Sequence, residues 1–217
     1  MNDGVWSLTF KRKKAYMKTT IYMIRHAKSI ANDSGLFGGI TDYELSHEGL
    51  MQSDALANRL KDYEFDKIYC SPLKRAIQTI SPTANMKNMD INIDNDLREI
   101  NVGTWENILR DDLRKLYPEE NKYIDETEYY TGMAGQEETI DVANRMYGTI
   151  LKIAKDNLNK NIIITSHIVA IRAFLCKIMN IPFEQTKEKI GNLGNTSITK
   201  VIYDDETNKF EVEYLGK

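Results

Sequence analysis

NIIITS (Asn161–Ser166) runs directly into HIVAIRAFLCKIM (His167–Met179). Ile162, Ile163 and Ile164 are consecutive, whereas a strand with one wet face would alternate apolar and polar residues. A short unbroken apolar run fits a central parallel strand covered on both faces. The segment after it reads as a helix, and strands that alternate with helices argue an α/β fold with a mostly parallel sheet.

The same pattern extends in both directions. TTIYMI (Thr19–Ile24) reads as a first buried strand ending at Arg25-His26, and FDKIYC (Phe65–Cys70) as a second, closed by Ser71-Pro72. INI (Ile91–Ile93) is a short third strand. TSITKVIYDDETNKFEVEYL forms two alternating strands around a turn at Asp204–Asn208, a hairpin. Ser46 is a plausible N-cap for a helix carrying Leu50, Ala57 and Leu60 at near-helical spacing. LKRAIQTISPTA and NILRDDLRKLY read as further helices, the latter stopped by Pro118. From Gln136 to Asn157, Val142, Met146, Ile150 and Ile153 line one helical face. The polar, tyrosine-rich stretch PEENKYIDETEYYTGMAG is expected to be irregular.

Composition narrows the function classes. The 217-residue chain is 41% hydrophobic and 28% charged, ordinary for a globular protein. A formal charge of −3 gives no case for a nucleic-acid partner, and Lys11–Lys14 is a short basic run. No apolar stretch is long enough for a membrane span, and the first residues do not read as a signal peptide. Cys70 and Cys176 lack metal-like spacing, so a reducing, cytoplasmic setting and no metal are expected. Gly35, Gly38 and Gly39 mark a loop without the spacing of a dinucleotide fingerprint, so no nucleotide cofactor is expected. Residues 1–16 show no period and read as an extension outside a single domain spanning 17–217, with an extra strand near Val5–Phe10 as the alternative.

Chemistry gathers at the strand ends. Arg25-His26, Ser71 to Arg75, and Ser166-His167 each follow a strand, and ligands of open α/β sheets sit outside the carboxyl ends of strands. Two arginines and two histidines at one edge suit a phosphoryl group.

IRHAKSIAN, SPLKRAIQT, LREINVGTWE and ITSHIVAIRAF, in that order, resemble the signature segments of the histidine phosphatase superfamily, the phosphoglycerate-mutase-like enzymes. The resemblance implies a three-layer α/β/α sandwich, a phosphohistidine intermediate, no metal or other cofactor, and a small phosphorylated substrate. It implies that His26 is the nucleophile, that Arg25 and Arg75 hold the phosphoryl oxygens, and that His167 donates to the same group. It makes Glu99 the proton donor, with Glu106 as the local rival, and gives Ser29 and Asn32 to phosphate or substrate contact; as ordinary loop and cap residues they would read equally well.

Some residues are not expected at the site. His47 reads as exposed beside its cap, Trp105 as packing, Cys70 as buried and inert, and Arg145 and Arg172 as helix-surface charges. Three positions depart from the family pattern: Ala27 and Asn107 where glycine is common, and Lys28 where an acidic residue is frequent. Ala27 would be strained if its φ were positive. Lys28 would add positive charge at the pocket mouth. Family mutases carry a longer segment than Asn107–Gln136 and a C-terminal tail, so hydrolysis is favoured over a mutase reaction. A non-catalytic phospho-ligand binder is the third reading. Oligomeric state is not legible.

Overall fold

The computed structural model describes residues 17–217. The expectations for residues 1–16 lie outside them. Six strands form one sheet: β1 (Lys18–Arg25), β2 (Lys67–Cys70), β3 (Ile91–Ile93), β4 (Asn161–Ser166), β5 (Ile198–Asp204) and β6 (Lys209–Tyr214), in the order β3-β2-β4-β1-β5-β6. β1, β2, β3 and β4 are parallel, and the C-terminal hairpin β5–β6 adds an antiparallel edge beside β1. The central position of β4 accounts for its unbroken apolar run.

The helices are α1 (Ile30–Ser34), α2 (His47–Leu60), α3 (Lys74–Lys87), α4 (Arg110–Leu116), α5 (Pro118–Thr127), α6 (Thr139–Asp156), α7 (Ile168–Met179) and α8 (Thr186–Ile190). They cover both faces of the sheet. Leu56 and Leu60 of α2, with Ala76 and Ile80 of α3, pack on Ile24, Ile68 and Ile163. Met146 and Ile150 of α6, with Ile171 and Phe174 of α7, pack on Ile21, Met23, Ile162 and Ile164. Successive residues of β4 therefore feed opposite cores, which is the three-layer arrangement. The expected α6 face, Val142, Met146, Ile150 and Ile153, is wholly buried. Burial of each such side chain contributes about 1.5–3 kcal/mol.

Two local expectations are corrected. Leu50 is 49% exposed, because the inner face of α2 is carried by Gly49, Ser53, Leu56, Ala57 and Leu60. A Cβ on Gly49 would lie 1.9 Å from the Lys28 carbonyl oxygen, so only glycine lets the helix start so close to that loop. The stretch after Pro118 is not irregular throughout: it opens with α5. Proline at the first helical position and Glu119 and Glu120 in the first turn favour a helix there. Only Asn121 and Ile124 of that helix are buried, which leaves little apolar period to read.

Candidate active site

The register of β1 against β4 builds the site. Arg25 pairs with Ser166, so the next residues, His26 and His167, leave the sheet side by side. The His26 amide donates to the Ser166 carbonyl (2.9 Å), and the imidazole centroids are 5.0 Å apart. On the other side of β4, Cys70 pairs with Thr165 and the Ser71 amide donates to the Thr165 carbonyl (3.0 Å). Three neighbouring strands thus end at one level, as the sequence pattern requires.

His26 is 5% exposed. Its Nδ1 lies 2.7 Å from the Ala27 carbonyl, which can only accept, so the proton sits on Nδ1 and the lone pair on Nε2. Burial, then the positive charges of Arg75 and Arg25, hold its pKa well below the usual histidine range. A neutral imidazole with a free nitrogen is what nucleophilic attack requires. Ala27 has no positive φ, so the alanine is unstrained, and its amide donates to Thr79 Oγ1 (2.8 Å). Asn107 does adopt a positive φ of 65°, which asparagine tolerates better than most residues.

Arg75, 3% exposed at the start of α3, donates from Nε to His167 Nδ1 (3.2 Å). Its Nη1 and Nη2 donate to the carbonyls of Thr41 (2.9 Å) and Gly39 (2.6 Å). Because His167 Nδ1 accepts, its Nε2 carries the proton and donates to Ser71 Oγ (2.7 Å). Burial and the Arg75 charge push the His167 pKa well down. Arg25 donates from Nη1 to the Leu193 carbonyl (2.7 Å), and its buried Nε has no partner among the described residues. Burial lowers its pKa to about 10, which leaves it charged at neutral pH.

Glu99 is 4% exposed, with its carboxyl at the amino end of α7. Oε1 accepts from the Ile100 and Ala170 amides (3.0 Å each) and Oε2 from Val169 (3.3 Å). Burial raises its pKa, opposed by Arg75 and these amides. His26, Arg25, Asn32 and Glu99 line one narrow cavity of about 60 Å3. His26, Ser29, Asn32 and Arg75 line a second, of about 30 Å3.

Glu106 lines neither small cavity. Its carboxylate accepts from the amides of Gly39, Ile40 and Thr41 and from Thr41 Oγ1 (2.6 Å). It thereby shapes the loop whose carbonyls hold Arg75. A Cβ on Gly39 would come 2.3 Å from the Ile100 carbonyl oxygen, so that loop needs glycine. Ser29 and Asn32 form a capping box at α1, with the Ser29 amide donating to Asn32 Oδ1 (3.1 Å). With Oδ1 held there, the Asn32 side-chain NH2 is left for the cavities it lines.

Several residues depart from their expected roles. Lys28 contacts Asp33 and Glu48 at 2.6 Å each, so it adds no net positive charge to the pocket mouth. Arg145 is not a surface charge. It donates to the carbonyls of Asp96 (2.7 Å), Arg98 (2.7 Å) and Glu99 (3.1 Å) and to the Glu137 carboxylate, clamping the segment that bears Glu99. Arg172 is 4% exposed and pairs with Glu128. Arg110, absent from the sequence-based set, stacks on Phe37 (4.5 Å) and lines both small cavities. Its place at the start of α4 gave no signal, with Arg114 one turn further along the same helix. His47 is exposed, Trp105 is buried in the core, and Cys70 is buried with its thiol pKa pushed up by burial.

Among the described residues, no three His, Cys, Asp or Glu side chains are grouped to hold a metal ion, and no helix is long and apolar enough to cross a membrane.

Known proteins are similar to this chain in sequence and fold. Phosphoserine phosphatase 1 of Hydrogenobacter thermophilus is 31% identical over 161 residues, 74% of this chain and 76% of its own length. The solved phosphoserine phosphatase of Entamoeba histolytica in complex with 3-phosphoglyceric acid superposes with a TM-score of 0.76 at 25% identity, covering 92% of this chain and 97% of that one. The fold is shared with Bacillus stearothermophilus YhfR at a TM-score of 0.84 and 24% identity, over 92% of this chain and 97% of the other. The model of the histidine phosphatase superfamily (branch 1) matches residues 21–214, nearly the whole described chain, and the protein belongs to that superfamily.

Proposed function

We propose that this histidine phosphatase hydrolyses small phosphomonoesters in two steps through a phosphohistidine at His26. The observation that carries this reading is the pairing of a neutral His26, its Nε2 free, with Arg75 and His167 at the ends of adjacent parallel strands. In the first step the Nε2 lone pair forms the N–P bond as the bond from phosphorus to the leaving oxygen breaks. Glu99 gives its proton to that oxygen, which departs as an alcohol. In the second step water attacks phosphorus, Glu99 takes a proton from it, and the N–P electron pair returns to Nε2. One carboxyl serves both steps by switching protonation, and its raised pKa favours the acid form needed first.

Phosphoryl transfer depends mainly on positioning and charge stabilisation. Arg75 and Arg25 supply the charge by turning guanidinium groups now bonded to backbone carbonyls onto the phosphoryl oxygens. His167 reaches the phosphoryl group from Nδ1 once Arg75 Nε moves to it. Ser71 Oγ can accept from or donate to Nε2, so this change of tautomer keeps the Ser71 bond. The Asn32 NH2 contacts the phosphoryl group, Ser29 holds Asn32, and Arg110 faces the leaving group.

A phosphorylated acid is the substrate type supported by the relatives' names. The two cysteines are free and buried, which supports a reducing, cytoplasmic setting, and the net charge of −3 supports no nucleic-acid partner. The direct test is a panel of phosphomonoesters in EDTA, scored for inorganic phosphate and for isomerised ester. Release of phosphate supports hydrolysis; isomer without phosphate would make the protein a mutase, and neither product would leave it a binder.

A further inference from the structure

Next to the histidines lies a larger cleft, of about 310 Å3, lined by Glu128, Ile168, Arg172, Lys187, Gly191 and Asn192. Ile168 also lines the His26–Glu99 cavity, so the two spaces share a wall. Arg172 stands one turn along α7 from Ile168, on the same face. At 1.5 Å per residue, it lies roughly 7 Å beyond His167 along the helix axis.

The cleft is lined by charge, of which Arg172 is buried. Arg172 is 4% exposed and donates from Nη1 to the Glu128 carboxylate and from Nη2 to the Gly191 carbonyl. Its Nε is buried with no partner among the described residues. Lys187 Nζ lies 4.0 Å from Glu128 and donates to the Asp125 carbonyl, with its side chain still 37% exposed. The Asp125 carboxylate is taken by Asn121 (2.8 Å) and Arg114 (3.5 Å). The two cations therefore face one anion, which leaves one positive charge uncompensated. A guanidinium donor without a partner in a buried place is costly unless something accepts from it.

We propose that this cleft is a second subsite that takes a carboxylate carried by the leaving group, several bonds from the phosphoryl oxygen. Lys187 binds the carboxylate directly, and the charge of Arg172, held in place by Glu128, favours an anion beside it. The spacing favours acids longer than a three-carbon one, whose carboxylate would end beside Ile168. The proposal rests on the phosphatase reading above, because it assigns the far end of that reaction's substrate.

Two matched pairs of esters test it. 6-Phosphogluconate and sorbitol 6-phosphate differ by a distant carboxylate, and 3-phosphoglycerate and glycerol 3-phosphate by a near one. The wild type should favour 6-phosphogluconate over sorbitol 6-phosphate in kcat/KM by about tenfold, the scale of one charge-assisted hydrogen bond. Lys187→Gln should remove that preference without altering the ratio for the short pair. Calorimetric binding of the long pair to His26→Ala protein reads the subsite without catalysis and should show the same preference. If the wild type hydrolyses all four esters with no preference in the long pair, or if Lys187→Gln keeps the preference, the cleft is only a structural clamp between α5, α7 and α8. If nothing is hydrolysed yet His26→Ala protein prefers 6-phosphogluconate, the subsite stands and the phosphatase reading falls.

Discussion

Arg75 Nε donates to His167 Nδ1 across 3.2 Å, so the second histidine of the site is held neutral by the arginine beside it. Both are buried, and the arginine charge is among the causes that lower the His167 pKa. Removing that charge has two effects. Arg75→Gln should lower kcat by about 10²–10³-fold, as expected when a donor to transition-state charge is lost. It should also raise the His167 pKa, followed by NMR titration of the imidazole. A loss of activity without that upward shift would mean that the two side chains are not coupled as described.

Glu99 and Glu106 separate by leaving group. An alkoxide needs a proton in the transition state and p-nitrophenolate needs little help, so Glu99→Gln should lose about 10²–10⁴-fold on an alkyl phosphate. In single-turnover phosphorylation the loss on p-nitrophenyl phosphate should be smaller. Glu106 acts differently: its carboxylate organises Gly39–Thr41, whose carbonyls hold Arg75. Glu106→Gln replaces one acceptor oxygen by an NH2 facing amide donors. It should therefore slow both substrates by similar factors. A leaving-group-dependent loss in Glu106→Gln would exchange the two assignments.

The pH profile follows from opposite shifts. His26 must be neutral, and its pKa is pushed well below 6.5; Glu99 must be protonated, and its pKa is raised above 4.5. The phosphorylation rate should rise with pH as His26 loses its proton and fall as Glu99 loses its own. Glu99→Gln should lack the basic limb. Stability carries the same sign: the folded state favours protonated Glu99, so the wild type loses stability as pH rises from 4.5 through the raised pKa. The melting temperature of Glu99→Gln relative to wild type should thus be higher at neutral pH than below pH 4.5. A difference that is flat with pH would contradict the raised pKa.

Deleting residues 2–16 should leave the melting temperature and turnover nearly unchanged. β1 begins at Lys18, and Thr19 is already anchored through Oγ1 to the Ala154 (2.8 Å) and Asn157 (3.0 Å) carbonyls. A large drop in melting temperature would show that the domain begins before residue 17.

The sheet was legible because β1 and β4 are short apolar runs that stop at charged or polar residues, and the hairpin because its strands alternate. The strand ends put His26 and His167 at one edge, but the register that sets them side by side, Arg25 facing Ser166, is fixed by long-range pairing and was not legible. The same holds for Arg145 and Arg172, whose carboxylate partners, Glu137 and Glu128, come from other segments. Leu50 was misplaced by one residue because small side chains, Gly49 and Ser53, carry the inner face of α2. Lys28 read as a free charge because Glu48 approaches it from another element.

The phosphoryl group should pass through His26 Nε2. Protein mixed with ³²P-labelled substrate and quenched in the steady state should carry label that is stable to base and labile to acid. Mass spectrometry of a base-stabilised digest should place it on the peptide containing His26, and His26→Ala should carry none. Label retained by His26→Ala, or found on another residue, would rule out His26 as the nucleophile.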